Sequence, residues 1–377
     1  MRGLYIHIPF CRTRCHYCNF VTMAAPSPDL RERFFEAVSA EIKHARNHYG
    51  PFSFDTFYLG GGTPSSLSVA ELRQLVEEVH AAFQFKGGYE FTCEFNPVDA
   101  DEAKLKALHE MGVNRISLGC QSFRDEILQK LGRRHTVRDI EETVAKIRKA
   151  GISSISFDLM LRLPGQTVED FHHSVKRCIE LEASQVSLYD LEIHEGTPFG
   201  QVQKDGKLNL PEEEAHARMY ETAIEFMTGA GYEHYEISNF AKPGLASRHN
   251  LIYWHNQEYL GLGPGAFTYL SGTRSQFAPD LDRYLEKCEF PDWKPDVADK
   301  LSEEEKETET FVTGLRLCGG IRPDSFPEIY PAIKDRLKTL CDESLLEMAG
   351  QNARLTTRGK LVSEDVFAFL LKKDTPL

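Results

Sequence analysis

Three cysteines stand close together near the start of the chain, in the spacing Cys11-x-x-x-Cys15-x-x-Cys18. Iron–sulfur clusters are held by cysteine thiolates, normally four of them. Three thiolates so close in sequence can bind one face of a [4Fe-4S] cubane and leave one iron with an open coordination position. A metal needs such a position to bind a substrate, so the spacing predicts a reactive cluster.

Two other interpretations of the same cysteines stay open at this point. Zinc could take the three thiolates together with His7 or His16, because Cys₃His sites are common. The usual zinc spacing, however, places paired cysteines in two halves that lie far apart in sequence. The cysteines could also be three unligated thiols in a loop.

Polar residues follow several predicted strands, and these could share a pocket with the cysteines. The run Gly60-Gly61-Gly62-Thr63-Pro64 ends one strand, and glycines allow backbone to approach a ligand closely. Ligands of α/β proteins bind at the carboxyl ends of the strands. We therefore expect one pocket there, formed with further polar residues at strand ends, namely Glu94, Gln121, Arg133 and Asp158.

The elements that would position these residues alternate between short apolar runs and helical periodicity up to about Tyr235. This alternation predicts an α/β fold of about six βα units, with parallel strands and right-handed crossovers. Six units are fewer than the eight of a complete barrel, so we expect a partial (β/α)6 barrel. The predicted strands are Leu4–Ile8, Asp55–Leu59, Tyr89–Phe95, Arg115–Leu118, Ser153–Leu159 and Val186–Leu191, and the helices include Asp29–Tyr49, Ser68–Phe83, Asp99–Met111, Val168–Leu181 and Pro211–Gly229.

Helix-capping residues support these boundaries. Ser68 and Glu71 have the spacing of a capping box. Asp99 is the expected N-cap of its helix, and Gly112 stands just beyond the end of that helix.

The pattern of apolar, polar and loop-forming residues divides the chain into three parts. Residues 1–235 form the expected barrel, 236–300 a loop-rich extension, and 301–377 a small, mostly helical, winged-helix-like domain. Within the last part, Leu355-Thr356-Thr357-Arg358-Gly359 is predicted to form a hairpin or wing.

The net charge, the apolar runs and the scattered cysteines disfavour several classes of function and location. The formal net charge of the 377 residues is −13, which disfavours a nucleic-acid-binding role. The sequence shows neither a signal peptide nor an apolar run of about 18 residues, so we expect a cytoplasmic protein that could contact a membrane peripherally. The six other cysteines are scattered and are expected to be thiols.

The segment Tyr5-Ile6-His7-Ile8-Pro9-Phe10-Cys11, followed by Cys15, Tyr17 and Cys18, resembles the signature of radical S-adenosylmethionine (SAM) proteins. The resemblance implies a [4Fe-4S] cluster on the three cysteines, with SAM on the open iron. It also implies an electron donor such as a flavodoxin or ferredoxin, and cleavage of SAM to a 5′-deoxyadenosyl radical. The residues it places around SAM are Tyr5, Gly61, Gly62, Thr63, Glu94, Gln121, Arg133 and Asp158, with Tyr17 near a second ligand.

More narrowly, the chain resembles the branch that contains oxygen-independent coproporphyrinogen III dehydrogenase and HemW-type heme chaperones. The dehydrogenase has a fourth cysteine where this chain has Phe20, and an added segment before the cluster where this chain has ten residues. Both departures favour the chaperone type.

The segment His249-Asn250-Leu251-Ile252-Tyr253-Trp254 resembles the H-N-x-x-Y-W heme motif of the chaperones. It implies heme as cargo, with His249 as the first candidate ligand of the iron and Tyr253 as the second. The expected function is transfer of heme to respiratory acceptor proteins, with a homodimer as an expected form. The alternatives are oxidation of coproporphyrinogen III to protoporphyrinogen IX, and radical modification of a tetrapyrrole. From chemistry alone, the segment is more typical of a packed aromatic loop with a satisfied histidine, and the resemblance is what favours a heme role.

Overall fold

The computed structural model describes residues 1–50, 52–290 and 292–371. Its strands are β1 (Gly3–Ile8), β2 (Phe10–Cys11), β3 (Met23–Ala24), β4 (Ser53–Gly61), β5 (Gln84–Phe95), β6 (Arg115–Gln121), β7 (Ser154–Leu161), β8 (Gln185–Asp190), β9 (Glu233–Glu236), β10 (Asn239–Ala241), β11 (Tyr259–Leu262), β12 (Phe267–Leu270), β13 (Thr273–Gln276), β14 (Val297–Lys300), β15 (Leu346–Ala349) and β16 (Asn352–Leu355). Its α-helices are α1 (Pro28–Tyr49), α2 (Val69–Ala82), α3 (Glu102–Glu110), α4 (Asp125–Lys130), α5 (Val137–Lys149), α6 (Val168–Glu180), α7 (Pro198–Lys204), α8 (Glu213–Gly229), α9 (Arg248–Trp254), α10 (Leu281–Glu289), α11 (Glu303–Gly314), α12 (Tyr330–Asp342), α13 (Thr357–Leu361) and α14 (Ser363–Leu371).

One large sheet carries the fold, with the strand order β14-β13-β12-β11-β1-β4-β5-β6-β7-β8-β10-β9. Neighbours from β1 to β8 in this order pair in parallel. These six strands and their crossover helices are the partial (β/α)6 barrel that the sequence predicts. Strand β11 adds a further parallel strand beside β1, and antiparallel strands extend both sides.

Along the barrel strands, apolar side chains that face the helices alternate with polar side chains that face the barrel interior. In β6, Ile116 and Leu118 belong to the main hydrophobic core. Ser117 lies between them and hydrogen-bonds across to Asp158 of β7. Successive side chains of a strand point to opposite faces, so this alternation aims a polar set into the barrel.

The barrel interior is correspondingly polar, and it contains buried atoms without a hydrogen-bond partner. Gln185 Nε2 donates to Asn239 Oδ1 at 2.8 Å, and Ser187 Oγ donates to the same oxygen at 2.6 Å. Thr92 Oγ1, Arg115 Nη2 and Ser156 Oγ are buried without a protein partner. Buried polar atoms of this kind are normally satisfied by ordered water, so the interior is expected to be hydrated.

Most predicted element boundaries agree with the structure, and the capping box at Ser68 and Glu71 is present. The N-cap prediction for Asp99 is wrong, because Asp101 caps α3 and its side chain accepts from Lys104 N. Asp99 instead lies in a short 3₁₀ turn before the helix and is 4% exposed. Gly112 follows the helix with a positive φ of 97°, as predicted.

Residues 236–300, predicted to be loop-rich, contain strands β10–β14 as well as α9 and α10. The predicted wing at 355–359 lies one element too late in the chain. The antiparallel hairpin is β15–β16, and Thr356 is already the N-cap of α13. Beyond Leu301, apolar residues of α11, α12, α14 and the hairpin form a second hydrophobic core, which also takes in Ile237.

Candidate functional site

The cysteine loop (residues 11–22) follows β1 and is fixed from several sides. Thr63 Oγ1 lies 3.3 Å from Cys11 Sγ, and Arg133 Nη1 donates to Cys15 Sγ at 3.4 Å. The backbone of His16 donates to the Leu131 carbonyl at 3.1 Å. The loop after β4 and the loop between α4 and α5 therefore hold the cysteine loop over the barrel.

All three cysteines are half-buried and stand near one another. Burial raises the pKa of the Cys11 thiol to about 11, and the neighbouring cysteines add to the rise. Burial also raises the pKa of Cys18. Three thiolates here therefore need positive charge beside them, which an iron cluster and the Arg133 guanidinium can supply.

The two histidines offered as a fourth zinc ligand differ in how many ring nitrogens are engaged. Both ring nitrogens of His7 have partners, with Nδ1 3.0 Å from the Tyr5 hydroxyl and Nε2 2.8 Å from the Val21 carbonyl. His16 Nδ1 lies 2.9 Å from the Lys130 carbonyl. His7 therefore has no ring nitrogen left for zinc, whereas Nε2 of His16 could still complete a Cys₃His site.

The glycine loop (residues 60–64) packs directly against the cysteine loop. Gly62 N donates to the Ile8 carbonyl and Thr63 N to the Phe10 carbonyl, both at 2.8 Å. A Cβ at position 62 would lie 2.8 Å from each of those two carbonyl oxygens, so only glycine allows this approach. The glycine loop supports the cluster ligands from below.

Glu94 lies at the bottom of the site, where β4 and β5 meet. Its Oε1 accepts from the Tyr58 hydroxyl at 2.9 Å and its Oε2 from Gly61 N at 3.1 Å. Burial raises its pKa to about 7, although both hydrogen bonds favour the charged form. A carboxylate so placed can accept hydrogen bonds from ligand hydroxyls.

Asp158 is the second acid of the site, on β7. Ser117 Oγ lies 3.1 Å from its Oδ1 and 3.2 Å from its Oδ2. Burial and the nearby charge of Glu94 raise its pKa to about 7. Like charges that share a low-dielectric site disfavour double ionisation, so the two acids favour a ligand with hydroxyl or amino donors.

Gln121 and Arg133 bring unused polar atoms to the same site. Gln121 has a positive φ of 66°, and its Oε1 is buried without a partner. Arg133 Nη2 donates to the Gly119 carbonyl at 2.7 Å, whereas its Nε is buried without a partner. Orphaned buried atoms mark places where a bound ligand would complete the hydrogen bonding.

These groups line one cavity of about 600 Å³ at the carboxyl ends of the barrel strands. This volume is within the range of cofactor sites. The predicted site residues that line it are Cys11, Cys15, Cys18, Gly61, Gly62, Thr63, Glu94, Gln121, Arg133 and Asp158, together with Tyr17.

Tyr5, predicted beside the cofactor, does not line this cavity. Its hydroxyl pairs with His7, and its ring packs against Tyr58 with centroids 6.0 Å apart. It therefore supports the wall of the site from within the barrel.

The two predicted heme ligands lie inside the protein at the opposite, amino-terminal end of the strands. His249 is 2% exposed, with Nδ1 2.7 Å from Thr56 Oγ1 and Nε2 3.0 Å from the Tyr253 hydroxyl. Burial lowers the pKa of this imidazole to about 3. In this structure both ring nitrogens of His249 have hydrogen-bonding partners, and the segment packs at the barrel floor. The roles of His249 and Tyr253 as heme ligands remain a prediction.

Sequence reasoning missed several residues of the site. Tyr58 hydrogen-bonds to Glu94, and Ser117 hydrogen-bonds to Asp158. Both are polar residues between apolar neighbours in their strands, and this alternation could have indicated that they face the barrel interior. The rim of the cavity also contains Tyr189, His194 and further arginines of two loops. Apart from Tyr189, which lies on β8, these are loop residues without a periodic signal, so only the fold brings them together.

The family model of the radical SAM superfamily matches residues 5–178, which span β1 to α6. Fold and site thus define a radical SAM protein, a class that implies a [4Fe-4S] cluster and SAM. The residues present fit such groups, with three loop thiols, two acids and orphaned polar atoms around one cavity.

Within this superfamily, the chain belongs to the HemW family. It is 37% identical to the heme chaperone HemW of Bacillus subtilis, an alignment that covers 98% of this chain and 99% of that protein. It is 34% identical to the heme chaperone HemW of Lactococcus lactis, covering 98% and 97%. The fold matches the structure of coproporphyrinogen III oxidase (HemN) from Escherichia coli with a TM-score of 0.84 at 21% identity, covering 98% and 89%.

None of the helices that the structure describes is long and apolar enough to cross a membrane.

Proposed function

We propose that this chain is a heme chaperone, which binds heme and transfers it to heme-accepting respiratory proteins. The observation that carries the proposal is full-length similarity to proteins named heme chaperone HemW, with at least 97% of each of two relatives covered. We place this activity in the cytoplasm, at the inner surface of the membrane where respiratory acceptors meet the protein.

In the proposed holoprotein, Cys11, Cys15 and Cys18 hold a [4Fe-4S] cluster. SAM occupies the cavity beside it, against the glycine loop. Glu94 and Asp158 would accept hydrogen bonds from hydroxyl or amino groups of SAM, and Gln121 Oε1 and Arg133 Nε would gain the partners that they lack. When bound, the cluster supplies an electron for reductive cleavage of SAM, with a flavodoxin or ferredoxin as the donor.

The chain's own residues give the site its order. The positively charged Arg133 guanidinium beside Cys15 stabilises negative charge on the thiolate. The Tyr58 hydroxyl fixes the orientation of the Glu94 carboxylate. Thr63 connects the glycine loop to the first cysteine. Displacement of any of these groups would misplace SAM relative to the cluster.

The deciding experiment supplies anaerobically reconstituted protein with ferric heme, and in parallel with coproporphyrinogen III, SAM and reductant. A chaperone binds heme stoichiometrically and passes it to an apo-acceptor, without decarboxylated porphyrin product. Catalytic formation of protoporphyrinogen IX would instead establish the dehydrogenase activity and overturn the proposal.

A further inference from the structure

The imidazole of His249 is held by a hydroxyl from a neighbouring strand. Thr56 of β4 is fully buried, and its Oγ1 lies 2.7 Å from Nδ1 of the ring. The other nitrogen, Nε2, lies 3.0 Å from the hydroxyl of Tyr253 on the same helix, α9. A neutral imidazole has one N–H donor and one acceptor nitrogen, and the partner of one nitrogen decides which of them carries the hydrogen. When the Tyr253 hydroxyl donates to Nε2, the Nδ1–H group donates to Thr56, so one neutral form of the ring satisfies both contacts.

The packing around the ring restrains it further. A Cβ at position 3 of β1 would lie 3.1 Å from Cε1 of His249 and 3.2 Å from Thr56 Oγ1, so Gly3 leaves just the space that the ring occupies. On another side, the Tyr58 ring stacks on the imidazole, with centroids 4.9 Å apart and an angle of 29° between the planes. These neighbours hinder rotation of the ring away from Thr56.

The backbone of His249 is held separately, by a carboxylate of β5. Glu90 Oε1 accepts from His249 N at 3.0 Å, and its Oε2 accepts from Arg248 N at 3.1 Å. Ser247 Oγ caps the same helix by accepting from Asn250 N at 3.3 Å. A helix of 7 residues is too short to be stable by itself, and these bonds satisfy N–H groups that have no partner within it. Glu90 therefore fixes the start of α9 relative to the barrel.

We propose that Thr56 and Glu90 are positioning residues for heme binding. Thr56 fixes the ring of His249 and Glu90 fixes its backbone, so that Nε2 is the nitrogen that binds the heme iron. The Tyr253 hydroxyl gives up Nε2 when iron binds, while the contacts of Thr56 and Glu90 persist. A histidine that binds a metal usually donates its other ring N–H to an oxygen, which fixes the ring and raises its basicity. The inference rests on the proposed function, with His249 as the ligand.

The role of Thr56 is tested by titrating ferric heme into the anaerobically reconstituted full-length protein. Thr56→Val removes the hydroxyl but keeps nearly the same shape, and we expect about tenfold weaker heme binding with shifted Soret and electron paramagnetic resonance signals of the iron. Thr56→Ser, which keeps a hydroxyl, should restore both towards the parent. The matched control is Thr92→Val in β5, because Thr92 is also buried in the barrel but its Oγ1 has no partner among the described residues. This control should bind heme as the parent does.

The role of Glu90 is tested in the same titration. Glu90→Ala should weaken heme binding about tenfold, and Glu90→Gln, which keeps one acceptor oxygen, should weaken it less. The control Asp280→Ala removes a carboxylate that caps a different helix, α10, by accepting from Arg283 N at 2.9 Å. It should lose stability as Glu90→Ala does, yet keep the heme affinity and spectra of the parent. Unfolding midpoints of all variants separate the two effects.

A double-mutant cycle shows whether both residues act through His249. In a His249→Ala background, Thr56→Val and Glu90→Ala should cause no further change in heme affinity. Parental affinity and spectra in Thr56→Val and Glu90→Ala, equal losses in both backgrounds, or parental heme binding by His249→Ala would overturn the positioning roles and leave the chaperone function standing. Failure of the parent protein to bind heme at all would overturn the proposed function itself.

Discussion

Arg12 Nε lies 2.5 Å from Asp99 Oδ1, which joins the cysteine loop to the turn after β5. Asp99 Oδ2 also accepts from Ser65 Oγ at 2.8 Å, beside the glycine loop. One buried carboxylate thus connects the two loops that frame the proposed cluster.

Replacement of Asp99 by alanine should loosen this connection. We expect a loss of about 2 kcal/mol in unfolding free energy, because Ser65 loses a hydrogen bond to a charged acceptor. The cysteine loop should also hold its cluster less well, so that the visible absorbance of the reconstituted protein decays several-fold faster in air. Asp282→Ala, at an exposed position of α10, is the matched control, and equal decay in both variants would contradict the role of Asp99.

Single substitutions Cys11→Ser, Cys15→Ser and Cys18→Ser should each abolish the cluster. A [4Fe-4S] cluster gives about four irons per chain, and with two cysteine ligands it is not expected to survive isolation. Iron analysis and visible absorbance after anaerobic reconstitution measure this. Cys341→Ser, on α12, should keep the full iron content, and a Cys15→Ser protein that also keeps it would argue against the ligand set.

Gly60→Ala should disturb the wall of the site. A Cβ there would lie 2.8 Å from the Tyr58 ring, 2.9 Å from Glu94 Oε1 and 3.0 Å from the Tyr5 ring. Overpacking of this kind costs about 1–3 kcal/mol, and displacement of Glu94 should weaken SAM binding. Equilibrium denaturation and calorimetric SAM titration measure both effects.

The control for this variant is Gly87→Ala in β5. No atom lies within 4 Å of a Cβ at position 87, so stability should change by no more than about 0.5 kcal/mol. Equal SAM affinities of the two variants would show that the space at Gly60 does not matter.

Glu41 should make the stability of the protein depend on pH. This α1 residue is 5% exposed, and its Oε2 accepts from Gly263 N and from the Tyr284 hydroxyl, both at 2.7 Å. Burial raises its pKa from 4.5 to about 7. Between these values the folded state keeps a proton that the unfolded state loses, so its contribution to stability falls by about 3 kcal/mol as pH rises through this window.

The variant Glu41→Gln should remove that contribution and be more stable than the parent at pH 8, with little difference at pH 4.5. Denaturation midpoints across this range measure it. Glu32→Gln, on the exposed face of the same helix, should follow the parent, and a Glu41→Gln curve parallel to the parent would contradict the assignment.

Arg316 should stabilise the contact between the barrel and the second hydrophobic core. Its guanidinium lies 4.3 Å above the Trp254 ring, and its Nη2 is 3.5 Å from Oε2 of Glu236, which is fully buried. Arg316→Ala leaves that carboxylate without its cation, which should cost about 3 kcal/mol. Adding Glu236→Gln should restore much of the loss, measured as a coupling energy in a double-mutant cycle. Arg322→Ala, a surface pair, is the control.

The barrel and its polar strand ends could be predicted from the sequence because period-two alternation and capping residues are local signals. The wrong N-cap prediction for Asp99 shows the limit of local signals. An aspartate before a helix can be its N-cap or a buried ion-pair partner, and only the fold, which brings the distant Arg12 beside Asp99, distinguishes the two. The burial of His249 was equally hidden in the sequence, since a histidine among aromatic residues suits either a ligand site or a packed core. The residues at the rim of the cavity come from β8 and from separate loops, so no single segment of the sequence could indicate them.

The alternation of apolar and polar faces in the barrel strands separates two kinds of evolutionary constraint. Outward positions such as Ile116 and Leu118 hold the helices against the sheet, so changes there are felt by the whole fold. Inward positions such as Ser117, which hydrogen-bonds to Asp158, and Ser156, whose hydroxyl has no protein partner, do not belong to that hydrophobic core. The lineage can therefore exchange the inner residues, and with them the ligand or reaction, while the same outer shell persists.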